Sequence, residues 1–509
     1  MTQGIREFLT GHELSRPVSF HMPGHKGYDF FERNGFGEAV RRLASWDITE
    51  IYGADNLFQP ETVIRKTMEK YERLYGAKKS YLLVNGSSSG IIASVLASVP
   101  KGGKLIMARN CHKSVFNALR LGDIEPVYAF PYMEEKYGIS GEILTTEIEK
   151  CMEENPDASA VIIPSPNYYG ICSDIEEISR RVHERDGVLI VDQAHGAHLK
   201  FFRDIGNNTA SEAVTIPRAA EELGADAVIN STHKTLASFT QTAVLNICSD
   251  RIDTNSIEDK LQIMESSSPS YPLMATLDIN ADILEACGRK LAEEWLENVK
   301  WFYEEAGKIE GLALMKSGRL DYTKLNIDMS SLGCDGACLE KFLIGRGIFP
   351  ELVSGDIVMC MTGIGNTRKD YERLIEALSD LSWLGGKTCG FDGKDLSSGS
   401  CGSLEIGAGG GSLKEFATKN KIVSLPSRLE LGDIPKEKEL VHIEEAAGRV
   451  CAAAVIPYPP GIPLVCPGEV FTREITDYVK KQREAGEKVV GVDEALCVWV
   501  GKQRIPGRG

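Results

Sequence analysis

The chain lacks any uninterrupted apolar run near the ~20 residues that a membrane-spanning helix needs. Its opening Met1-Thr2-Gln3-Gly4-Ile5-Arg6-Glu7 does not begin a signal peptide. It has no Cys-x-x-Cys pair, and its 13 cysteines are scattered and odd in number. A disulfide framework is therefore not expected, whereas a reducing, cytoplasmic compartment is. Positive charge is also in deficit: 57 Lys and Arg stand against 73 Asp and Glu, a net charge of −16. That balance repels a nucleic-acid backbone, and no local basic patch offsets it, so neither nucleic acid nor membrane is expected as a partner. The same field weakly attracts small cations. Histidines at metal-ligand spacing occur twice, as His21/His25 and His195/His198. Both pairs fall in Gly/Pro-interrupted turns without supporting Cys or carboxylate ligands, so no metal is expected. There is no internal repeat and no heptad run.

Against these absences, 42% apolar and 26% charged residues are ordinary for a globular protein. A length of 509 residues exceeds what one hydrophobic core supports, so two or three domains are expected. The most informative segment is Ser231-Thr232-His233-Lys234-Thr235-Leu236, directly after the apolar run Ala227-Val228-Ile229-Asn230. A strand feeding a short polar turn can hold one amine beside a phosphate and an aldehyde. Schiff-base chemistry needs such a lysine in a fixed place where it can shed its proton. Ser231 and His233 supply hydrogen bonds to an anion. Taken alone, the segment suits a solvated loop at a strand end better.

Three further strand ends keep it company. Val188-Leu189-Ile190-Val191 closes on Asp192, the pattern of a buried parallel strand delivering a carboxylate at its C-terminal edge, where ligands of open α/β sheets collect. A carboxylate there can keep a pyridine nitrogen protonated; it can also simply form a turn or cap a helix. Tyr81-Leu82-Leu83-Val84-Asn85-Gly86-Ser87-Ser88-Ser89-Gly90 passes from strand through a Gly/Ser turn into a helix, whose first amides make an anion site. It lacks the Lys-Ser/Thr ending of a P-loop and the dinucleotide glycine spacing, so a single phosphate monoester is expected. Ser-rich turns are common helix caps as well. Lys104-Leu105-Ile106-Met107-Ala108 leads to His112, an imidazole placed to stack on a flat ring. The order phosphate turn, stacking His, ring-nitrogen Asp and Schiff-base Lys points to pyridoxal 5'-phosphate more strongly than any one element.

With these residues in view, the chain resembles the bacterial ornithine/lysine/arginine decarboxylases of the aspartate-aminotransferase-type fold, in their short form without an N-terminal wing domain. The resemblance also rests on His21-Met22-Pro23-Gly24-His25-Lys26-Gly27, Asp47-Ile48-Thr49-Glu50, Asp55-Asn56-Leu57 and Pro457-Tyr458-Pro459-Pro460-Gly461-Ile462-Pro463-Leu464-Val465-Cys466-Pro467-Gly468-Glu469, so it covers nearly the whole chain. It implies that Lys234 forms the Schiff base, Asp192 pairs with the ring nitrogen, and His112 stacks on the ring with Ala194 on the other face. Ser87, Ser88, Ser89, Ser231 and His233 would surround the phosphate. His195 stands where larger members of the family carry Trp; it either orients the ring's phenolic oxygen or packs. Selecting a cationic side chain needs an acidic group. Glu50, Asp55 and Glu469 are the candidates because they lie in the family-like motifs, although each also suits a solvated or capping role. The resemblance implies a homodimer or higher homo-oligomer with the active site at its interface, where Asp55 or Glu469 could serve the neighbouring subunit.

The expected fold is α/β: a pyridoxal-phosphate-dependent transferase-like (fold type I) large domain with a mostly parallel sheet, a smaller α/β domain and a C-terminal α+β domain. Residues 1–268 form the N-terminal segment and large domain, with strand Ala160–Pro164 and helix Asp174–Val182 typical of its alternation. Residues 269–384 form the small domain, opening on a helical pattern from Leu273 to Glu310. The Gly/Ser-rich tract 385–412 is a linker, and 413–509 form the third domain with a helix near Arg473–Glu487. The leading functional expectation is decarboxylation of a basic amino acid (arginine first, lysine or ornithine otherwise) to its amine and CO2. An aminotransferase or lyase on the same fold would need an arginine clamp on the α-carboxylate; no arginine in the small domain announces that role, with Arg346 left open. A non-catalytic amino-acid or polyamine sensor is the third possibility, against which Lys234, Asp192 and His112 together argue.

Overall fold

The computed structural model describes residues 4–203, 205, 214–385, 434–457, 461–484 and 489–502. The tract expected to be a linker lies outside the described residues, apart from Gly385. The centre of the molecule is a seven-stranded sheet made of β1 (Lys79–Leu83), β2 (Lys104–Ala108), β3 (Glu125–Ala129), β4 (Ala158–Pro164), β5 (Val188–Asp192), β6 (Ala227–Asn230) and β7 (Ala243–Ile247). Their spatial order is β1-β7-β6-β5-β4-β2-β3. Only β7 runs against its neighbours, and the other pairs are parallel. All five residues of β5 are buried, as a strand covered by helices on both faces requires.

Helices form where the apolar period and the caps agree. Ile175–His183 buries Ile175, Ile178, Ser179 and Val182 on one stripe, and the Asp174 side chain accepts the Glu177 N–H at 3.2 Å. Ser87–Ser98 lies so close to the sheet that a Cβ on Gly90 would fall 2.6 Å from the Leu83 side chain. Because β1, β2, β5 and β6 all point one way, their ends bring the phosphate-type turn, His112, Asp192 and Lys234 to one edge.

Ser270 caps the helix Tyr271–Ala306, and Pro272 sits in its first turn, where a missing N–H is harmless. It spans 36 residues. It stops short of the expected Glu310 because Gly307 takes the C-cap. Beyond it lies a four-stranded antiparallel sheet of Ala313–Leu314, Lys324–Asp328, Ile357–Met361 and Leu352–Ser354. The C-terminal part pairs Lys438–His442 with Cys497–Gly501 and packs the helix Arg473–Glu484 over Val455, Phe471 and Val498.

The His21–Gly27 motif is a strap between units. Val18–Phe20 pairs in parallel with Ile348–Pro350 of the smaller unit. The Gly24 N–H then donates to His233 O at 3.0 Å, while Gly24 O accepts the Gly365 N–H at 3.0 Å. A Cβ on Gly24 would lie 2.4 Å from Leu236 O, so no side chain fits between the lysine-bearing turn and the smaller unit.

Candidate active site

The one-turn helix Thr232–Thr235 carries Lys234 directly off the end of β6. Its Nζ lies 2.9 Å from His195 Nε2, in the turn that follows β5. Burial pulls the amine below the usual lysine range; Asp192 and Glu351 oppose that shift and Lys324 reinforces it. Burial, aided by the Lys234 charge, keeps His195 neutral. Its Nδ1 has no partner among the described residues. Burial raises the Asp192 carboxyl, while Lys234 and the Ala194 N–H, 3.1 Å from Oδ1, hold it down. Asp192 thus shapes its own turn, and its charge acts on Lys234.

His112 is both a cap and a ring. Its Nδ1 accepts the Ser114 N–H at 3.3 Å and lies 2.9 Å from Ser114 Oγ, which fixes the imidazole at the start of Lys113–Gly122. Burial, with Lys234 and Lys113 nearby, lowers its pKa to about 3, so it is neutral. His233 Nδ1 donates to Thr242 O at 2.7 Å, and burial lowers its pKa to about 4. Ser231 Oγ is fully buried and without a partner among the described residues. Ser87 and Ser88 are half-buried in the first turn behind Gly86, whose φ of 78° opens the N–H groups of that turn.

The expected phosphate residue Ser89 is differently engaged. Its hydroxyl lies 2.5 Å from Glu265 Oε1 and 2.8 Å from Gly86 O. Glu265 also accepts the N–H groups of Val84 and Asn85, at 3.2 and 3.0 Å, and so braces the whole turn.

The three acidic candidates are not gathered around Lys234. Glu50 is exposed. Asp55 accepts the N–H groups of Glu61, Thr62 and Ile64 at 3.2, 2.7 and 2.9 Å and starts the helix Val63–Tyr75. Glu469 is fully buried and accepts from Arg109 at 3.1 Å, Tyr128 Oη at 2.8 Å and the Cys466 N–H at 2.6 Å. The second carboxylate that acts on Lys234, besides Asp192, is Glu351, which no sequence motif marks. Its Oε2 accepts the Met22 N–H at 2.9 Å and its Oε1 accepts Tyr168 Oη at 2.8 Å. Tyr168 in turn packs edge-on against His195, with ring centroids 4.6 Å apart. Glu351 follows a three-residue strand with no motif around it, so only the folded chain reveals it. Arg346 pairs with Asp380 at 2.6 Å and covers Phe342, away from this cluster. No group of three or more His, Cys, Asp or Glu side chains converges as a metal site among the described residues.

The family model "Orn/Lys/Arg decarboxylase, major domain" matches residues 5–325, and its "C-terminal domain" matches 413–497. The chain belongs to the Orn/Lys/Arg decarboxylase family. This membership makes it an enzyme of the basic amino-acid decarboxylase class. Within the family it is similar to the arginine decarboxylase of Bacillus subtilis, 30% identical over 97% of each chain. By fold it is similar to lysine decarboxylase A from Pseudomonas aeruginosa (20% identical, 97% of this chain and 80% of that one, TM-score 0.71). The lysine decarboxylase LdcF of Francisella novicida gives 19% identity, 94% and 78% coverage and a TM-score of 0.69. These likenesses place the seven-stranded unit in the expected fold-type-I class. As in the other decarboxylases matched, the likeness runs through both units and the C-terminal part. No helix among the described residues is long and apolar enough to cross a membrane.

Proposed function

We propose that this decarboxylase holds pyridoxal 5'-phosphate at Lys234 and converts a basic amino acid, arginine first, to its amine and CO2 in polyamine metabolism. The observation that carries the proposal is the Lys234 amine, enclosed beside His195 and acted on by Asp192 and Glu351. The residues fit the cofactor: Ser231 Oγ and His195 Nδ1 are buried polar atoms awaiting partners, and a helix start lies among the same strand ends. Ser231, His233, Ser87 and Ser88 would hold the phosphate, with Ser89 acting through the turn it pins. His112 and Ala194 would flank the ring, and His195 would meet its phenolic oxygen. When bound, the cofactor supplies an aldehyde for amine exchange and a ring that accepts the electrons left by departing CO2.

The chain's own groups do the rest. Asp192 holds a proton at the ring nitrogen. Lys234, with its proton affinity lowered by burial, would exchange with the substrate's amino group, take up the proton which that group sheds, and give it back at Cα. Glu351, rather than Asp55 or Glu469, stands where a cationic substrate group would meet a carboxylate. The preference for arginine is supported by similarity to arginine decarboxylases along nearly the full length. Glu351→Gln is expected to raise KM for the basic substrate about 10- to 100-fold, the size of one charge-assisted hydrogen bond. Steady-state kinetics with kcat and KM separated checks this, and an unchanged KM removes Glu351 from substrate recognition.

A homodimer is part of the proposal. Ile5, Phe8, Leu9 and Leu14 are exposed on a helix with no buried residue, and Tyr52 is fully exposed on the segment before Asp55. A cytoplasmic location fits free thiols at Cys111, Cys151, Cys172 and the other described cysteines. Incubation of purified protein with arginine, lysine or ornithine, followed by product analysis, tests the function. Agmatine and CO2 from arginine are expected; a keto acid would mean transamination, and no turnover of any of the three would return the sensor.

A further inference from the structure

Behind the turn that carries His195 lie three ionisable side chains that no solvent reaches: His198, Asp321 and Lys324. Lys324 opens a strand of the smaller unit, yet its Nζ donates to the backbone oxygen of His195 at 3.1 Å. The same Nζ lies 3.3 Å from Asp321 Oδ2, and His198 Nε2 lies 3.1 Å from that oxygen. Thr323 completes the knot, its N–H and Oγ donating to Asp321 Oδ1 at 3.0 and 2.7 Å. The stem is fixed as well: a Cβ on Gly170 would fall 2.9 Å from Lys324 Cγ, and Gly170 has φ +96°. Trp295 lies over His198 with centroids 5.0 Å apart. A methionine would fill the volume of the Lys324 stem without the desolvation that a buried ammonium carries, so packing alone does not call for this charge.

We infer that Lys324, held by Asp321, is a positioning residue of the smaller unit that fixes the His195 turn, and with it the imidazole that meets Lys234. The inference rests on the proposed role of Lys234. Its reach is electrostatic as well as geometric. Lys234 is faced by Asp192, Glu351, His112, His195, His233 and Lys324, of which the imidazoles are neutral. Lys324 itself faces Asp321, His198, Cys172 and Lys26. Lys324 therefore counters the two carboxylates that would keep Lys234 protonated, and it does so from the smaller unit. The placement of that unit is thereby written into the chemistry of the larger one.

The test uses full-length cofactor-loaded protein and reads the pH midpoint of its visible absorbance, together with the pH profile of kcat/KM. In Lys324→Met the midpoint is expected to rise by about one pH unit, since a like charge acting on Lys234 is gone. Lys324→Arg keeps the cation and is expected to stay near wild type. If Lys324→Met folds poorly because Asp321 is left unpaired, Lys324→Met/Asp321→Asn removes that fault and is read the same way. A midpoint unmoved in a folded Lys324→Met or double variant overturns the inference, because a purely structural lysine changes stability without moving the titration. Wild-type protein that shows no cofactor absorbance at all would instead overturn the reading on which the inference rests.

Discussion

Asp192→Ala is expected to lower decarboxylation on the order of 10³-fold and to weaken cofactor binding, the scale of losing one preorganised charge at the place where charge develops. The expectation follows from where Asp192 sits. It ends a strand buried on both sides, and its carboxylate is one of two that oppose the burial-driven proton loss at Lys234. Burial alone would push its own carboxyl toward the neutral form, and the Lys234 charge counters that. A cationic ring nitrogen would hold it ionised still more firmly. Asp192→Asn, which keeps the shape and the contact to Ala194, separates the charge from the turn: activity should fall nearly as far while thermal stability changes little. Steady-state turnover and spectral titration of the cofactor measure both effects. Turnover within about three-fold of wild type in either variant would contradict the assignment.

Arg109→Ala is expected to cost about 3–5 kcal/mol, because it leaves the Glu469 carboxylate buried without its cation. The Arg109 guanidinium donates to the backbone oxygens of Pro463 and Leu464 at 2.9 and 3.0 Å and to Glu469 at 3.1 Å, with neither side chain of the pair exposed. It also lies over the rings of Phe116 and Tyr128, at 5.3 and 5.2 Å. The C-terminal motif is thus a plug seated on the end of β2, three residues before His112. Denaturant unfolding would measure the loss, and limited proteolysis would show the C-terminal part released first. Replacing the pair together, Arg109→Met with Glu469→Leu, should restore most of the stability, since the penalty comes from the orphaned charge rather than the missing attraction. A single Arg109→Ala variant as stable as wild type would contradict this account.

The strand ends were legible in the sequence because each combines an apolar run with an abrupt polar turn. That pattern located β5 and Asp192, β6 and Lys234, and the Gly86 turn to within a residue or two. The class of fold followed from their alternation with amphipathic helices such as Ile175–His183. What could not be read were contacts made by long-range docking. Glu469 and Asp55 stand in recognisable motifs, but a motif does not say whether a carboxylate faces a ligand or its own backbone, and here both meet intrachain donors. Ser89 looked like its two neighbours until helical rotation turned it inward to Glu265, 176 residues away. Glu351 and Lys324 come from the smaller unit, and each acquires its place only when that unit closes on the lysine turn through Gly24 and Gly365. The His21–Gly27 motif carries a family signal in the sequence but no visible role; in the fold its Gly24 is explained by the backbone approach it permits.

The most direct measurement is borohydride reduction of the cofactor-loaded protein, followed by proteolysis and mass mapping of the pyridoxyl group. A single modified peptide bearing the group on Lys234 is the predicted result. Modification of a different lysine, with Lys234 recovered unmodified, would contradict the account at its root.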